Sequence, residues 1–508
     1  MTVTENPFPI PTQLFINNEV GLTSYESKCS VADCRKVHNS SSPERFSIYN
    51  PADGSLVTDK IQYAVADDVD QAVRSAQAAF RNKAWAGITS QERGRVLKRI
   101  AKAIEENKEE LAWLDRITMG KPVTNGIGEA QFTADIFESS KPDYAGWTDK
   151  HAGETFPADD GFLKIVQHEP LGVCAGILPW NGPMATIAFK AAPALATGNV
   201  IILKPSEKSP LSALRLASLL TDILPSGVLQ VLNGAGATGE LLARHPDIRK
   251  ISFTGSGLTG KKIQRAAAES NLKRVTLELG GKTPAGIFDD CNLDNAVQWA
   301  TKAITSNSGQ ICIAASRVYV QESIAERFIA AFVKSIQASA ENIGDPNSKD
   351  TQFGPLADKA QFSRVQSFFA EDAGKTQILT GGKQHGETGY FFEPTVLYNP
   401  DPQAAVYKNE IFGPVACVRT FKDEEDFLQM ANDTEYGLNA AVFTKDINKA
   451  MRISSRLESG TVGINCVTML HYQVPFGGSK QSGFGRELGA YGLKSYTEPK
   501  SIYVNLNS

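Results

Sequence analysis

One cysteine of this chain stands where a thiol can react. In "NSGQICIAASR", Asn307 to Arg317, Cys312 follows a Gly-Gln pair and sits between two isoleucines. A free thiol titrates near 8.5, so little of it is thiolate at neutral pH. A nucleophile there needs activation, a donor for the oxyanion it creates, and a base for the next step. None of the histidines (His38, His151, His168, His245, His385 and His471) falls in a cysteine-protease pattern. "LELGGK" instead offers Glu278, on an apolar strand-like run that enters two glycines 34 residues before Cys312. Its plainer reading is an ion pair with Lys282. "ILPWNGPM" offers Asn181 at a strand end, where its amide can donate to an oxyanion; between Pro179 and Pro183 it is otherwise a turn former. "NEIFGPV" adds Glu410 and Phe412, and "PFGGSKQSGFGRELG" adds a glycine-rich run carrying Glu487.

The elements that must hold these residues alternate along the chain. "VCAGIL", "NVIILK", "VLQVLNG" and "ISFTG" are strand-like, and "MATIAFKAAPALA" and "SPLSALRLASLLTDIL" are helix-like, the latter starting at Ser209 and Pro210. Alternation at this pitch predicts βαβ units and a parallel sheet covered on both faces. A second alternating region runs from about 285 to 470. Upstream, Thr89 and Glu92 form a capping box for a long helix with Val96, Ile100 and Ile104 on one face. Arg93, Lys98, Glu105 and Glu109 are read as its solvated side. The tail "SIYVNLN" alternates like a strand able to pair with another chain.

G-x-G-x-x-G occurs twice, at Gly234, Gly236, Gly239 and at Gly255, Gly257, Gly260, each between a strand and a helix. The free N–H groups of either helix could take a diphosphate, but both cannot take the same one in the same way. "LKPSEKSP" sets Lys204 and Glu207 just beyond a strand. A carboxylate there accepts hydrogen bonds from a ribose 2′-OH and repels a 2′-phosphate.

The chain's 508 residues exceed one ordinary domain. Its 42% hydrophobic and 21% charged residues supply globular cores, and a net charge of −4 argues for neither nucleic acid nor an anionic membrane as partner. Seven scattered cysteines point to reduced thiols and a cytoplasmic setting. No charged-then-apolar leader and no membrane-length apolar run stands out. Cys29, Cys34 and His38 lie close together, but a zinc site needs a fourth ligand, so no metal is expected.

With these residues laid out, the chain resembles the NAD(P)-dependent aldehyde dehydrogenase superfamily, in its non-acylating, hydrolytic form. The resemblance runs from roughly residue 50 to 505 and rests on "PWNGP", "KPSE", "FTGS", "ELGGK", "GQIC", "EIFGP", "PFGGSKQSG" and "GRELG", in family order. It implies an α/β protein: a Rossmann-like cofactor domain, an α/β catalytic domain and a small β oligomerisation element. The implied division is 1–144 and 169–280 for the cofactor domain, 145–168 for an oligomerisation hairpin, 281–482 for the catalytic domain, and 483–508 for a bridging segment. Homodimers or homotetramers would follow.

The resemblance also assigns roles. Cys312 would attack the aldehyde, Asn181 with the Cys312 N–H would hold the oxyanion, and Glu278 would activate the water that hydrolyses the thioester. Lys190 and Glu487 would form a proton relay. NAD would lie on Lys204 and Glu207, on Gly255 and Ser256 with Trp180 beside them, and on Glu410 and Phe412. The second glycine motif would then bind the diphosphate and the first would be a turn. Glu207 favours NAD over NADP.

Gly182 and Ser306 stand where the family often carries aromatic rings, whereas Phe476 keeps its ring; with Phe189 they would line the substrate tunnel. Two missing rings imply a bulky or functionalised aldehyde. Three competing readings remain: transfer of the thioester to coenzyme A, a catalytically retired scaffold, and a thiol hydrolase. Intact Glu278 speaks against the first, and the intact trio of Cys312, Glu278 and Asn181 against the second. The third lacks a histidine partner for Cys312 and would not need a nucleotide site. The 29–45 insertion has no assigned role.

Overall fold

The structure is a computed structural model that describes residues 7–18, 39–138, 143–372, 374–467 and 470–507. Cys29, Cys34 and His38, with most of the 29–45 insertion, lie outside the described residues. The strands Val173–Ile177 and Val200–Lys204 are buried end to end and apolar up to Lys204, as strands covered on both faces must be. With Leu229–Val231, Lys250–Gly255 and Arg274–Leu279 they form the parallel part of a six-stranded sheet. Gly483–Phe484 closes its outer edge antiparallel to Arg274–Leu279.

The chain enters this sheet at Val173–Ile177, moves outward through Val200–Lys204 to Leu229–Val231, then returns to lay Lys250–Gly255 on the other side of the entry strand. Strand order therefore reverses between Val173–Ile177 and Lys250–Gly255. Such a reversal opens a crevice beyond the carboxyl ends of the two strands, where the connecting loops diverge.

The second alternating region forms a seven-stranded sheet in the order Gln377–Thr380, Thr395–Tyr398, Val415–Phe421, Arg317–Gln321, Pro284–Ile287, Asn439–Phe443, Thr461–Ile464. All of its neighbours are parallel except the first pair. The tail strand Thr497–Asn505 pairs within its own chain, antiparallel to Phe162–Pro170 over nine residue pairs, and Glu154–Phe156 completes that three-stranded sheet. Among the described residues no helix is long and apolar enough to cross a membrane, and all five described cysteines are free.

The Thr89 capping box forms, with the hydroxyl accepting from Glu92 N and the Glu92 carboxylate accepting from Thr89 N. Ile100 and Ile104 are buried and Val96 is half-buried. Two expectations fail here. The helix ends at Glu106, so Glu109 belongs to a second helix, Lys108–Met119, beyond a break at Asn107. Arg93 is half-buried and donates to the Ile88 carbonyl at 3.0 Å, because its guanidinium reaches back over the helix start.

The helix Pro183–Ala196 begins two residues after Asn181 and is buried along nearly its whole length. Its N-cap is Gly182, which has no side chain to satisfy the first-turn N–H groups. Glu129, from the helix Val123–Phe137, supplies the missing acceptor: its Oε1 takes the Ala185 N–H at 3.0 Å. The same carboxylate is ion-paired with buried Lys121. Burial, followed by the Glu129 charge, pushes neighbouring Asp115 up to about 7. At the helix's far end, Trp85 Nε1 is shared between the Gly198 and Asn199 carbonyls at 3.1 Å each.

Removing one partner of a buried ion pair leaves an uncompensated charge, at a cost of about 3–5 kcal/mol. Glu129→Ala should lower the urea midpoint by a free energy of that order. Glu129→Gln also leaves Lys121 without its counter-charge but keeps an acceptor for Ala185 N, so it should lose less than Glu129→Ala by the cap alone, about 0.5–2 kcal/mol. Equal midpoints for wild type and Glu129→Ala would refute the cross-helix cap.

Candidate active site

The crevice at the strand-order reversal is a cavity of about 690 Å³. Cys312, Glu278, Asn181, Trp180, Lys204, Glu207, Gly255, Ser256, Glu410 and Phe412 all line it, so ten residues singled out from sequence meet at one surface.

Cys312 lies in the loop between the turn Ser306–Gly309 and the strand Arg317–Gln321. Three successive residues before it, Asn307, Ser308 and Gly309, have φ of 49°, 54° and 71°. Non-glycine residues rarely adopt this left-handed backbone, and three in a row persist only when the surroundings enforce it. Several bonds do so. Ser308 Oγ donates to Gly354 O at 2.6 Å, and Gln310 Nε2 donates to Asn307 O at 3.0 Å. Gln310 Oε1 accepts from Ala357 N at 2.9 Å. Gln310 was not picked out from sequence, because nothing in "GQIC" says that the amide side chain pins its own loop.

Asn181 Nδ2 donates to the Gln310 carbonyl at 2.9 Å, and Asn307 Nδ2 reaches the Asn181 carbonyl at 3.2 Å. The loop after the Val173–Ile177 strand and the cysteine loop are thus tied together, with the Asn181 amide held at the cavity wall.

Glu278 is buried on the Arg274–Leu279 strand, and its Oε1 has no hydrogen-bond partner. Lys282 does not pair with it; the lysine donates instead to Val406 O at 2.8 Å. Burial, then the nearby Glu487 charge, pushes the Glu278 carboxyl up to about 8, while Cys312 and Lys190 pull it down. Cys312 is half-buried and opens onto the cavity. Burial, then Glu278 and Glu410, holds its thiol well above the usual range. In this state the site stores a neutral thiol beside a carboxyl that titrates within reach of physiological pH.

Gly280 and Gly281 follow Glu278 for a steric reason. A Cβ on Gly280 would collide with the Glu410 carboxylate, and one on Gly281 would stand 2.5 Å from the Cys312 carbonyl. Glu410 Oε1 accepts the Gly281 N–H at 3.0 Å, and burial pushes Glu410 up to about 7. Phe412 is held at φ 57° with its carbonyl accepting from Gln361 Nε2 at 2.7 Å. Its ring meets Trp180 edge-on at 5.2 Å between centroids.

At the other end of the cavity, Lys204 is buried and donates to Pro205 O and Gly234 O at 2.7 and 2.5 Å. Burial lowers it to about 8, with Glu207 opposing. Glu207 itself is exposed. Ser256 caps the helix Gly257–Ser270, accepting from Thr259 N at 3.4 Å. The first glycine motif is more than the structural turn expected of it: Gly236 and Gly239 line the same cavity, across from Ser256. The two helices that open at the glycine motifs face one crevice, which spacing in sequence does not reveal.

Lys190 and Glu487 lie behind the cavity wall, not on it. Lys190 Nζ donates to Glu487 Oε1 at 2.6 Å and to Thr254 Oγ1 at 2.8 Å, and both groups are buried. None of the four expected tunnel residues lines this cavity. Gly182 caps its helix, and a Cβ there would stand 3.6 Å from Glu129 Oε1. Ser306 Oγ donates to Lys302 O at 2.7 Å. Phe189 is buried against Phe132, edge-on at 6.3 Å. Phe476 is buried and exchanges two backbone hydrogen bonds of 2.7 Å with Glu487.

Known proteins share this chain along its length. A model of the aldehyde dehydrogenase family matches residues 37–502. An aldehyde dehydrogenase of Emericella nidulans is 40% identical over 506 residues, covering 97% of this chain and 99% of its own. Human retinal dehydrogenase 2 is 42% identical over 514 residues, covering 98% and 94%. Among solved structures, an indole-3-acetaldehyde dehydrogenase of P. syringae, a mutant in complex with NAD+ and IAA, superposes with a TM-score of 0.91 at 36% identity, covering 98% of this chain and 97% of that one. The fold, with its mixed parallel sheets, is that of these neighbours. The chain belongs to the aldehyde dehydrogenase family, oxidoreductases that act on aldehydes.

Proposed function

We propose that the protein oxidises a bulky or functionalised aldehyde to its carboxylic acid with NAD, through a thiohemiacetal and then a thioester on Cys312. The observation that carries this reading is the meeting of a thiol, a buried carboxyl with one unpartnered oxygen, and an amide donor on one nucleotide-sized crevice.

The residues present fit the cofactor. The crevice lies at a strand-order reversal, it is flanked by helix N-termini at Ser256 and Gly236, and it carries an exposed carboxylate at Glu207. Lys204 and Glu207 would hold the adenosine ribose, Gly255 and Ser256 the diphosphate beside Trp180, and Glu410 and Phe412 the nicotinamide end. Glu207 repels a 2′-phosphate, which favours NAD over NADP. NAD, when bound, supplies the acceptor for the hydride that leaves the thiohemiacetal carbon.

The protein's own groups do the rest. Sulfur of Cys312 bonds the aldehyde carbon as the thiol proton leaves. Asn181 and the Cys312 N–H take the charge that develops on oxygen; a single such donor is worth about 2.7–4 kcal/mol. Glu278 removes one proton from water as the water oxygen bonds the thioester carbon and the carbon–sulfur bond breaks, and the Cys312 thiolate set free takes back a proton from the new carboxylic acid, which leaves as carboxylate. Lys190 and Glu487 carry away the proton that Glu278 took. Residues 1–144 with 169–280 serve the cofactor, 281–482 the catalytic chemistry, and 145–168 with 483–508 an oligomer contact, in a dimer or tetramer of the cytoplasm.

A base acts only when deprotonated, and Glu278 loses its proton as pH rises through about 8. Turnover with NAD and a panel of aliphatic, aromatic and amino-aldehydes should therefore rise along a limb near that pH. Glu278→Gln should give one burst of NADH per site and almost no steady state, and Cys312→Ala should give neither. Full steady-state turnover in Glu278→Gln would remove Glu278 from the mechanism.

The missing rings make a second prediction. Gly182→Phe with Ser306→Phe should lower kcat/KM for large aldehydes by about tenfold, or about 1.4 kcal/mol, and spare short ones. Unchanged large-aldehyde turnover would end the wide-tunnel reading.

A further inference from the structure

Lys208 stands just past the Val200–Lys204 strand, beside Glu207, and lines the crevice. Its Nζ pairs with Asp358 Oδ2 at 2.8 Å. The two side chains are 23% and 34% exposed, so the pair lies at the rim, where water reaches it. Asp358 immediately precedes the helix Lys359–Asp372. Among the described residues this is the only ion pair that joins a residue of 169–280 to one of 281–482. It ties the wall that carries Lys204 and Glu207 to the wall that carries Glu410 and Phe412.

Each partner is itself anchored. Lys208 Nζ lies 5.1 Å from the centre of the Trp180 ring, and Ser209 Oγ donates to Trp180 O at 3.0 Å. The ammonium thus has both an aromatic face and a carboxylate, and swinging outward would cost it the two together. Asp358 Oδ1 accepts the Gln361 N–H at 2.7 Å, which caps the helix and leaves Oδ2 for the lysine. The first turns of the same helix hold the opposite wall. Gln361 Nε2 donates to Phe412 O at 2.7 Å, and Arg364 Nη2 donates to Glu410 O at 2.8 Å. One helix therefore carries Asp358 and fixes the backbone of Glu410 and Phe412.

We propose that the Lys208–Asp358 pair is a latch on the cofactor crevice: closed, it holds the two walls together over the bound dinucleotide, and it must open for NADH to leave. The inference rests on the NAD reading above and adds to it a pair of positioning residues. At the catalytic end the same walls are joined by neutral hydrogen bonds, Asn181 to Gln310 and Asn307 to Asn181. At the rim the tie is ionic. An ion pair in contact with water adds little to folding stability and weakens with salt. Those are the properties of a fastening that opens in every catalytic cycle, not of a core contact.

The test uses the full-length protein loaded with NADH and mixed rapidly with excess NAD+, with release followed by the loss of bound-NADH fluorescence. Lys208→Met and Asp358→Asn should each release NADH about threefold faster than wild type, with urea midpoints unchanged. The asparagine keeps an acceptor for Gln361 N, so the helix cap survives. The double variant should be no faster than either single one, because both residues act through one contact. Lys208→Arg, which keeps the charge, should restore slow release. Added salt should speed release from the wild type more than from the double variant. Wild-type release rates in both single variants would overturn the latch. Effects that simply add in the double variant would overturn it too, since they would come from two separate contacts. If Asp358→Asn does not fold, Lys208→Met and the salt dependence carry the test. A wild type that binds no NADH would refute the cofactor reading and the latch with it, whereas tight binding with unchanged release would refute the latch alone.

Discussion

Everything around the site depends on keeping one carboxylate oxygen of Glu278 unpartnered inside the protein. A buried polar atom without a partner costs about 1–3 kcal/mol, more when charged, and protein interiors normally eliminate it. Here each obvious partner is drawn off elsewhere: Lys282 to the Val406 carbonyl, Asn181 to Gln310, and Lys190 to Glu487 and Thr254. Burial then lifts the carboxyl to about 8, where it titrates under ordinary conditions. Poor satisfaction of one atom and burial of the group go together with that raised titration.

The same constraint explains the backbone. Glu278 ends a strand of one sheet, and Cys312 precedes a strand of the other. Bringing the two loops together takes Gly280 and Gly281 on one side and three left-handed residues on the other. Strain of this kind costs on the order of 1–3 kcal/mol per residue, so it persists only where surrounding contacts enforce it. Gln310 and Ser308 provide those contacts by bonding to Asn307, Ala357 and Gly354.

Much of this was legible in the sequence. The buried strands announce themselves as apolar runs and the Thr89 cap as a four-residue pattern, and Cys312, Glu278 and Asn181, singled out together from their motifs, line one cavity. Three things were not legible. The break at Asn107 was hidden because apolar spacing continues across it. The cavity role of Gly236 and Gly239 was hidden because two glycine turns look alike until the order of the strands is known. Glu129 was hidden because its partner, Ala185 N, is a backbone group 56 residues away, and side-chain patterns carry no trace of such a bond. Long-range backbone satisfaction is the general blind spot: the demand is visible at Gly182, which lacks a capping side chain, but the supplier is not.

The sheet itself shows how a fold can host a polar path without losing its core. A parallel strand buried on both faces has two separate sets of alternating residues. "KISFTG" and "RVTLEL" spend one set on packing, through Ile251, Phe253 and Leu277, and leave the other free for Lys250, Ser252, Thr276 and Glu278. The adjacent strand "VCAGI" is buried throughout, and "VIILK" beyond it is apolar on both faces up to its final residue, Lys204, at the cavity. In this sheet, polar residues enter the interior in a row on the two strands nearest the Gly483–Phe484 edge, where Glu487 comes back over the sheet to meet them, whereas Gln230 and Lys204 are buried singly on the strands beyond. Apolar packing and polar contacts are divided by strand face, so a substitution in one set need not disturb the other.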